Sequence, residues 1–216
     1  VRPIAYGEGP MLGVKASEFY TFLIYVTPVG SYFKSGLKSL NTIVTDKYHR
    51  VATKSIGFAK AVGNYAGTLL PYKEIVEDGY DEIIFLNASN ENIIDEARSA
   101  NIFVLKGNVL KTPMLQGSIL PGITRDSVIK VASKIFNLDV REEDVSLDEL
   151  MNADEVFFTG TAAVIAPVGR IVYKKNETRL EISFEESMTR KIRERIIDIQ
   201  YENIEDPFGW VIPLGK

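Results

Sequence analysis

The sequence predicts an α/β chain of the mixed α+β kind rather than a doubly wound sheet. Three observations lead there. Short β-type runs meet twice across tight polar turns, two longer stretches have helical apolar spacing, and an aromatic, β-branched run lies near the start.

Residues 1–7 and 18–28 read as strands. The second holds Phe19-Tyr20-Thr21-Phe22-Leu23-Ile24-Tyr25-Val26, and this nearly continuous apolar run predicts burial on both faces. Gly7, Gly9, Pro10 and Gly13 punctuate the loop between them. Pro28-Val29-Gly30 breaks the pattern, so residues 30–40 are the candidate linker. A helix is expected over 55–70, around Lys60 and ended by Pro71. Residues 82–87 and 92–94 form a hairpin across Asn87-Ala88-Ser89-Asn90, and 101–106 and 108–112 form a second at Lys106-Gly107-Asn108. Ile123, Val128, Ile129, Val131, Ala132, Ile135 and Phe136 give 122–136 a helical face. Ser146 and Glu149 have capping-box spacing for a short helix. Residues 155–159 read as a strand followed by a Gly-Thr-Ala-Ala turn, and 185–201 as an amphipathic helix.

Composition narrows the chemistry. The 216 residues are 45% apolar with a net charge of −4, as in an ordinary globular protein. No cysteine is present, which excludes disulfides, thiolate catalysis and cysteine–zinc sites. His49 is the single histidine, so a histidine-rich metal site cannot be built from this chain, and no metal is expected. Mild acidity argues against nucleic acid as a partner. No run approaches the roughly 18 apolar residues of a membrane span. No signal peptide opens the chain, so a cytoplasmic location is expected. Val1 is not a methionine and the chain opens as if inside a strand, so its front end is expected to lie outside this sequence.

Four segments offer chemistry. Lys60 sits among small and apolar residues, Ile56-Gly57-Phe58-Ala59-Lys60-Ala61-Val62-Gly63-Asn64-Tyr65. Desolvation there would favour the neutral amine that attacks a carbonyl; an exposed helix lysine is the plainer reading. Leu120-Pro121-Gly122-Ile123-Thr124-Arg125-Asp126 opens a helix, whose free N–H groups and Thr124 hydroxyl suit an anion or simply cap the turn. Thr159-Gly160-Thr161-Ala162-Ala163 permits close approach to the backbone, or is only a tight turn. Glu96 follows the apolar end of a strand and either faces inward toward a cationic ring nitrogen or lies on the surface. Together these are the parts of a pyridoxal phosphate site: an amine, a phosphate cup and an acid.

The order and spacing of Lys60 to Tyr65, Leu120 to Asp126, and Gly160-Thr161-Ala162-Ala163 with Pro167-Val168 resemble the fold-type IV (class IV) pyridoxal-phosphate aminotransferases, most of all the branched-chain type. The resemblance implies the D-amino-acid-aminotransferase-like fold. Residues 1–29 would be the C-terminal part of a small domain, 30–42 an interdomain loop and 43–216 the large cofactor-binding domain. A homodimer or higher homo-oligomer is also implied. In this likeness Lys60 is the Schiff-base lysine and proton shuttle, Tyr65 bonds the cofactor's phenolic oxygen, and Glu96 pairs with the ring nitrogen. Leu120 supports a ring face, and Ile123, Thr124 and Thr161 bind the phosphate. Arg2 reads the glutamate side-chain carboxylate, Val14 and Tyr32 line the substrate pocket, and Thr161 and Ala162 receive the α-carboxylate.

The expected reaction is transamination of leucine, isoleucine or valine with 2-oxoglutarate. D-amino-acid aminotransferase, aminodeoxychorismate lyase and a truncated non-catalytic fragment stand as alternatives. Ala97 and Arg98 after Glu96, and Val164 and Ala166 after the last motif, depart from the family pattern.

Overall fold

A computed structural model describes residues 1–10, 12–28, 38–180 and 183–213. The chain divides into two compact units, Val1–Gly36 and Leu37–Lys216.

The first unit is an antiparallel ribbon of β1 (Arg2–Glu8) and β2 (Phe19–Tyr25), in register from Arg2 opposite Tyr25 to Glu8 opposite Phe19. The expectation of two-sided burial for β2 is corrected here. Phe19, Tyr20, Phe22 and Ile24 are all exposed. A two-stranded ribbon has no second layer of its own with which to cover either face.

The second unit is built on one mixed sheet. Its strands are β3 (Leu40–Thr45), β4 (Glu82–Asn87), β5 (Asn90–Ala97), β6 (Asn101–Lys106), β7 (Val109–Thr112), β8 (Asp139–Glu142), β9 (Val145–Ser146), β10 (Glu155–Gly160), β11 (Val164–Tyr173) and β12 (Asn176–Arg179). Their spatial order is β8-β7-β6-β10-β11-β3-β4-β5-β9, with β12 added on β11. Strand β3 takes in Leu40, Asn41 and Thr42, three residues expected in the interdomain loop. It pairs in parallel with both β11 and β4.

Both expected hairpins form. Asn87 pairs with Asn90, where the Asn87 side chain accepts from the Ser89 and Asn90 amides, and Lys106 pairs with Val109 around Gly107 at φ +56°. A left-handed turn residue there is the glycine's purpose. Strand β5 runs on to Ala97, so Glu96 lies within the strand and not beyond its end.

Helices α1 (Gly63–Ala66) and α2 (Leu69–Glu77) replace the single helix expected over 55–70. Lys60 therefore stands in the turn before α1 and is not helical. Pro71 does not end a helix. It sits in the first turn of α2, where an amide has no intrahelical acceptor and its absence costs nothing. The remaining helices are α3 (Ile123–Lys134), α4 (Leu147–Met151) and α5 (Met188–Gln200), the last preceded by a short 3-10 turn over Phe184–Glu186. The capping box on α4 is complete: Ser146 accepts from the Glu149 amide, and Glu149 accepts from the Ser146 amide.

Helices α3 and α5 pack on β10 and each other, and α5 also on β11, closing a core of Phe103, Leu110, Val128, Val131, Phe157, Ile165, Ile192 and Ile196. Phe103 and Phe157 stack at 5.1 Å across β6 and β10. Helix α2 packs on β4, where Ile75 joins Ile83 and Phe85. Among the described residues no helix is long and apolar enough to cross a membrane, and no cluster could hold a metal ion.

Candidate active site

The described residues of the second unit form a cavity of about 740 Å³ including its open mouth. Lys60, Tyr65, Glu96, Leu120, Ile123, Thr124 and Thr161 all line it, so the turns at 122–124 and 160–161 converge on the lysine.

The turn carrying Lys60 is held from both sides. The side-chain amide of Asn64 donates to Ile56 O at 2.8 Å and Ala59 O at 3.0 Å. The Phe58 amide donates to Gly117 O at 3.1 Å. Gly57 lies so close to Ser118 that a Cβ would meet its carbonyl oxygen at 2.1 Å. These bonds replace the expected helix as the frame for the amine. Lys60 is exposed to the open cavity, in line with the plainer reading of its surroundings, although it is not helical. Its Nζ donates to Tyr65 Oη at 2.6 Å.

Glu96 is the opposite case, only 3% exposed. Its Oε1 accepts from the Leu120 amide at 3.2 Å and its Oε2 from Asn101 Nδ2 at 3.0 Å. Arg50, also buried, forms an ion pair with Oε1 and donates from Nη2 to Ser118 O at 2.5 Å. Burial pushes the Glu96 carboxyl up to about 7; the Arg50 charge is the chief opposing influence. Asp95, next in the chain, is also raised by burial.

The N-terminus of α3, which borders the same cavity, offers free amides. Gly122 precedes it because a Cβ would meet Asn101 Oδ1 at 2.2 Å. Ile123 is exposed and Thr124 half-buried at this end. Thr159 also lines the cavity, and its hydroxyl is buried without a partner. An orphaned hydroxyl facing a cavity fits a ligand with acceptor oxygens.

Ala162 follows Thr161 in the same turn and is exposed. Arg2, at the start of β1, and Val14 belong to the first unit and are exposed. Tyr32 lies outside the described residues. Arg98, one of the departures from the family pattern, is half-buried. Its guanidinium lies over the Tyr72 ring at 3.8 Å and near Glu82 at 3.6 Å, while the residue borders the cavity. Sequence reasoning missed Arg50, Asn64, Asn101 and Thr159. Asn64 and Thr159 stood inside quoted motifs; no local signal marks Arg50 or Asn101.

An amine beside a phenol, a buried acid and a helix N-terminus, all bordering one cavity, are the groups a pyridoxal phosphate site of the aminotransferase kind requires. Comparison with known proteins agrees: residues 1–171 match the family model for amino-transferase class IV, and this chain belongs to that family. It is 41% identical over 215 residues to the chloroplastic branched-chain-amino-acid aminotransferase 2 of Arabidopsis thaliana, covering 100% of this chain and 55% of the relative. It is 38% identical over 223 residues to a probable branched-chain-amino-acid aminotransferase of Staphylococcus epidermidis, covering 100% of this chain and 62% of that protein. The chain thus spans little more than half the length of these curated relatives.

Solved structures agree on the fold-type IV architecture. The branched-chain aminotransferase of Escherichia coli superposes with a TM-score of 0.80 at 32% identity, over 96% of this chain and 67% of that one. The Thermobaculum terrenum enzyme in its pyridoxal phosphate form gives 0.79 at 27% identity, over 94% and 64%. The family's cofactor is pyridoxal phosphate. The residues here fit it: an amine for the aldehyde, an acid for the ring nitrogen, and amides with an unpartnered hydroxyl for the phosphate.

Proposed function

We propose that this chain forms the cofactor half of a branched-chain aminotransferase, moving an amino group between leucine, isoleucine or valine and 2-oxoglutarate. The observation behind it is the Lys60 Nζ–Tyr65 Oη hydrogen bond of 2.6 Å within the cavity that Glu96 closes from behind. The substrate class draws on the names of relatives 37–41% identical.

When bound, pyridoxal phosphate supplies an aldehyde carbon and an electron-accepting ring. Lys60 would hold the cofactor through its aldehyde carbon, and its Nζ, as base and then acid, would carry the proton from the substrate α-carbon to the cofactor carbon that bears the imine. Tyr65 Oη orients that amine and bonds the cofactor's phenolic oxygen. Glu96 holds negative charge for the ring nitrogen, Leu120 supports a ring face, and Ile123, Thr124 and Thr161 hold the phosphate. Thr161 and Ala162 receive the α-carboxylate. Arg2, Val14 and Tyr32 are assigned to the side-chain pocket on the resemblance alone. Exposed apolar residues of the second unit, Phe58, Val62, Leu69 and Ile123, support a homo-oligomer.

The test is borohydride reduction of the protein with pyridoxal phosphate, followed by mass mapping. The label is expected on Lys60, and Lys60→Ala is expected to lose both visible absorbance and turnover. Full turnover in Lys60→Ala refutes the assignment. Preference for L-leucine over D-alanine as donor checks the substrate; the reverse preference replaces it with a D-amino acid.

A further inference from the structure

The acid behind the cavity has more company than a ring-nitrogen partner requires. Glu96 and Arg50 are each 4% exposed at the side chain and form an ion pair through Oε1 and Nη2. Glu96 Oε1 also takes the Leu120 amide, and Oε2 takes Asn101 Nδ2. The Asn101 amide orientation is fixed independently, because the same Nδ2 donates to Leu120 O at 2.8 Å. Every protein group bonded to this carboxyl is therefore a donor. A protonated carboxyl must donate one O–H of its own, and none of these protein partners can accept it.

We propose that Arg50 is a positioning residue that holds Glu96 as the anion, so that the proton between the acid and the cofactor's ring nitrogen stays on the ring. This rests on the pyridoxal phosphate reading above. Two buried influences work against it. Desolvation favours a neutral carboxyl, and the neighbouring Asp95 repels a second negative charge. Arg50 and, more weakly, Lys60 oppose them. Arg50 is the one of the two that is buried and in contact with Glu96, and it is itself fixed by Ser118 O. A ring nitrogen that keeps its proton accepts electrons; one that yields it to Glu96 does not. Arg50 borders the cavity and acts on the ring nitrogen through its ion pair with Glu96.

The test is the 15N chemical shift of ring-labelled pyridoxal phosphate bound to the protein, followed from mildly acidic to mildly alkaline pH. The native protein is expected to stay in the pyridinium range throughout. Arg50→Met is expected to move toward the neutral pyridine range at neutral pH, and Arg50→Lys, which keeps the charge, to remain with the native protein. A neutral ring nitrogen in the native protein overturns the proposal, as does an unchanged shift in Arg50→Met. An Arg50→Lys shift equal to that of Arg50→Met overturns it too, because charge would then not be the cause. If Arg50→Met fails to fold, Arg50→Gln, which keeps hydrogen-bond donors but removes the charge, is expected to move the same way, and an unchanged shift there overturns the proposal. Failure of Lys60 to take the borohydride label defeats the cofactor reading separately.

Discussion

Glu96 titrates according to its surroundings and not its residue type. In the cofactor-free protein, burial lifts its carboxyl from an ordinary 4.5 to about 7. A carboxyl that binds its proton more tightly when folded adds stability below the unfolded value and loses it as pH rises through the folded one. The urea midpoint of the apo protein is therefore expected to fall between those two values, by up to roughly 3 kcal/mol in unfolding free energy. Glu96→Gln is expected to reduce that slope, leaving the part that the buried Asp95 contributes in the same direction; an identical slope in the variant would assign it to other groups. At this scale the sequence was legible where a residue acts by type. Lys60, Tyr65, Glu96 and Thr124 were named from their motifs, and all line the cavity. Arg50 and Asn101 were not, because their value lies in partners distant along the chain: Ser118 and Leu120 as well as Glu96.

Among the elements, the turn before α1 matters most for the site. Apolar spacing suggested one helix through Lys60, and the chain instead forms a turn clamped by Asn64 and by the Gly117–Ser118 segment. Gly57 is the point of closest approach. Gly57→Ala would place a methyl 2.1 Å from Ser118 O, against backbone that cannot rotate away. Overpacking of this kind costs about 1–3 kcal/mol. The variant is expected to unfold at lower urea and to bind pyridoxal phosphate more weakly, as read by fluorescence titration. Unchanged affinity would show that the clamp does not position the amine. The hairpins and the α4 capping box, by contrast, were readable, since each depends on residues within four positions of one another.

For the whole molecule, the site stands on a sheet held by the core under α3 and α5. Phe157 is fully buried and stacked on Phe103, on the strand that leads into the turn at Gly160-Thr161. Phe157→Ala is expected to cost about 3–5 kcal/mol in equilibrium denaturation. A loss below 1 kcal/mol, as a rough bound, would mean that the core closes over the gap. The exposed β1–β2 ribbon reverses the burial that its apolar run suggested, because burial needs a covering layer that the run itself does not encode.

What the sequence determined alone was local: two hairpins, the amphipathic helices, and the residue types of an amine, an acid and a phosphate cup. Turn chemistry and apolar periodicity act between near neighbours, so they are written in order along the chain. The tertiary structure decided the rest. It paired β3 in parallel between β11 and β4, set Lys60 in a turn, and buried Glu96 against Arg50. Those outcomes depend on desolvation and charge between segments far apart in the chain, which no local pattern specifies.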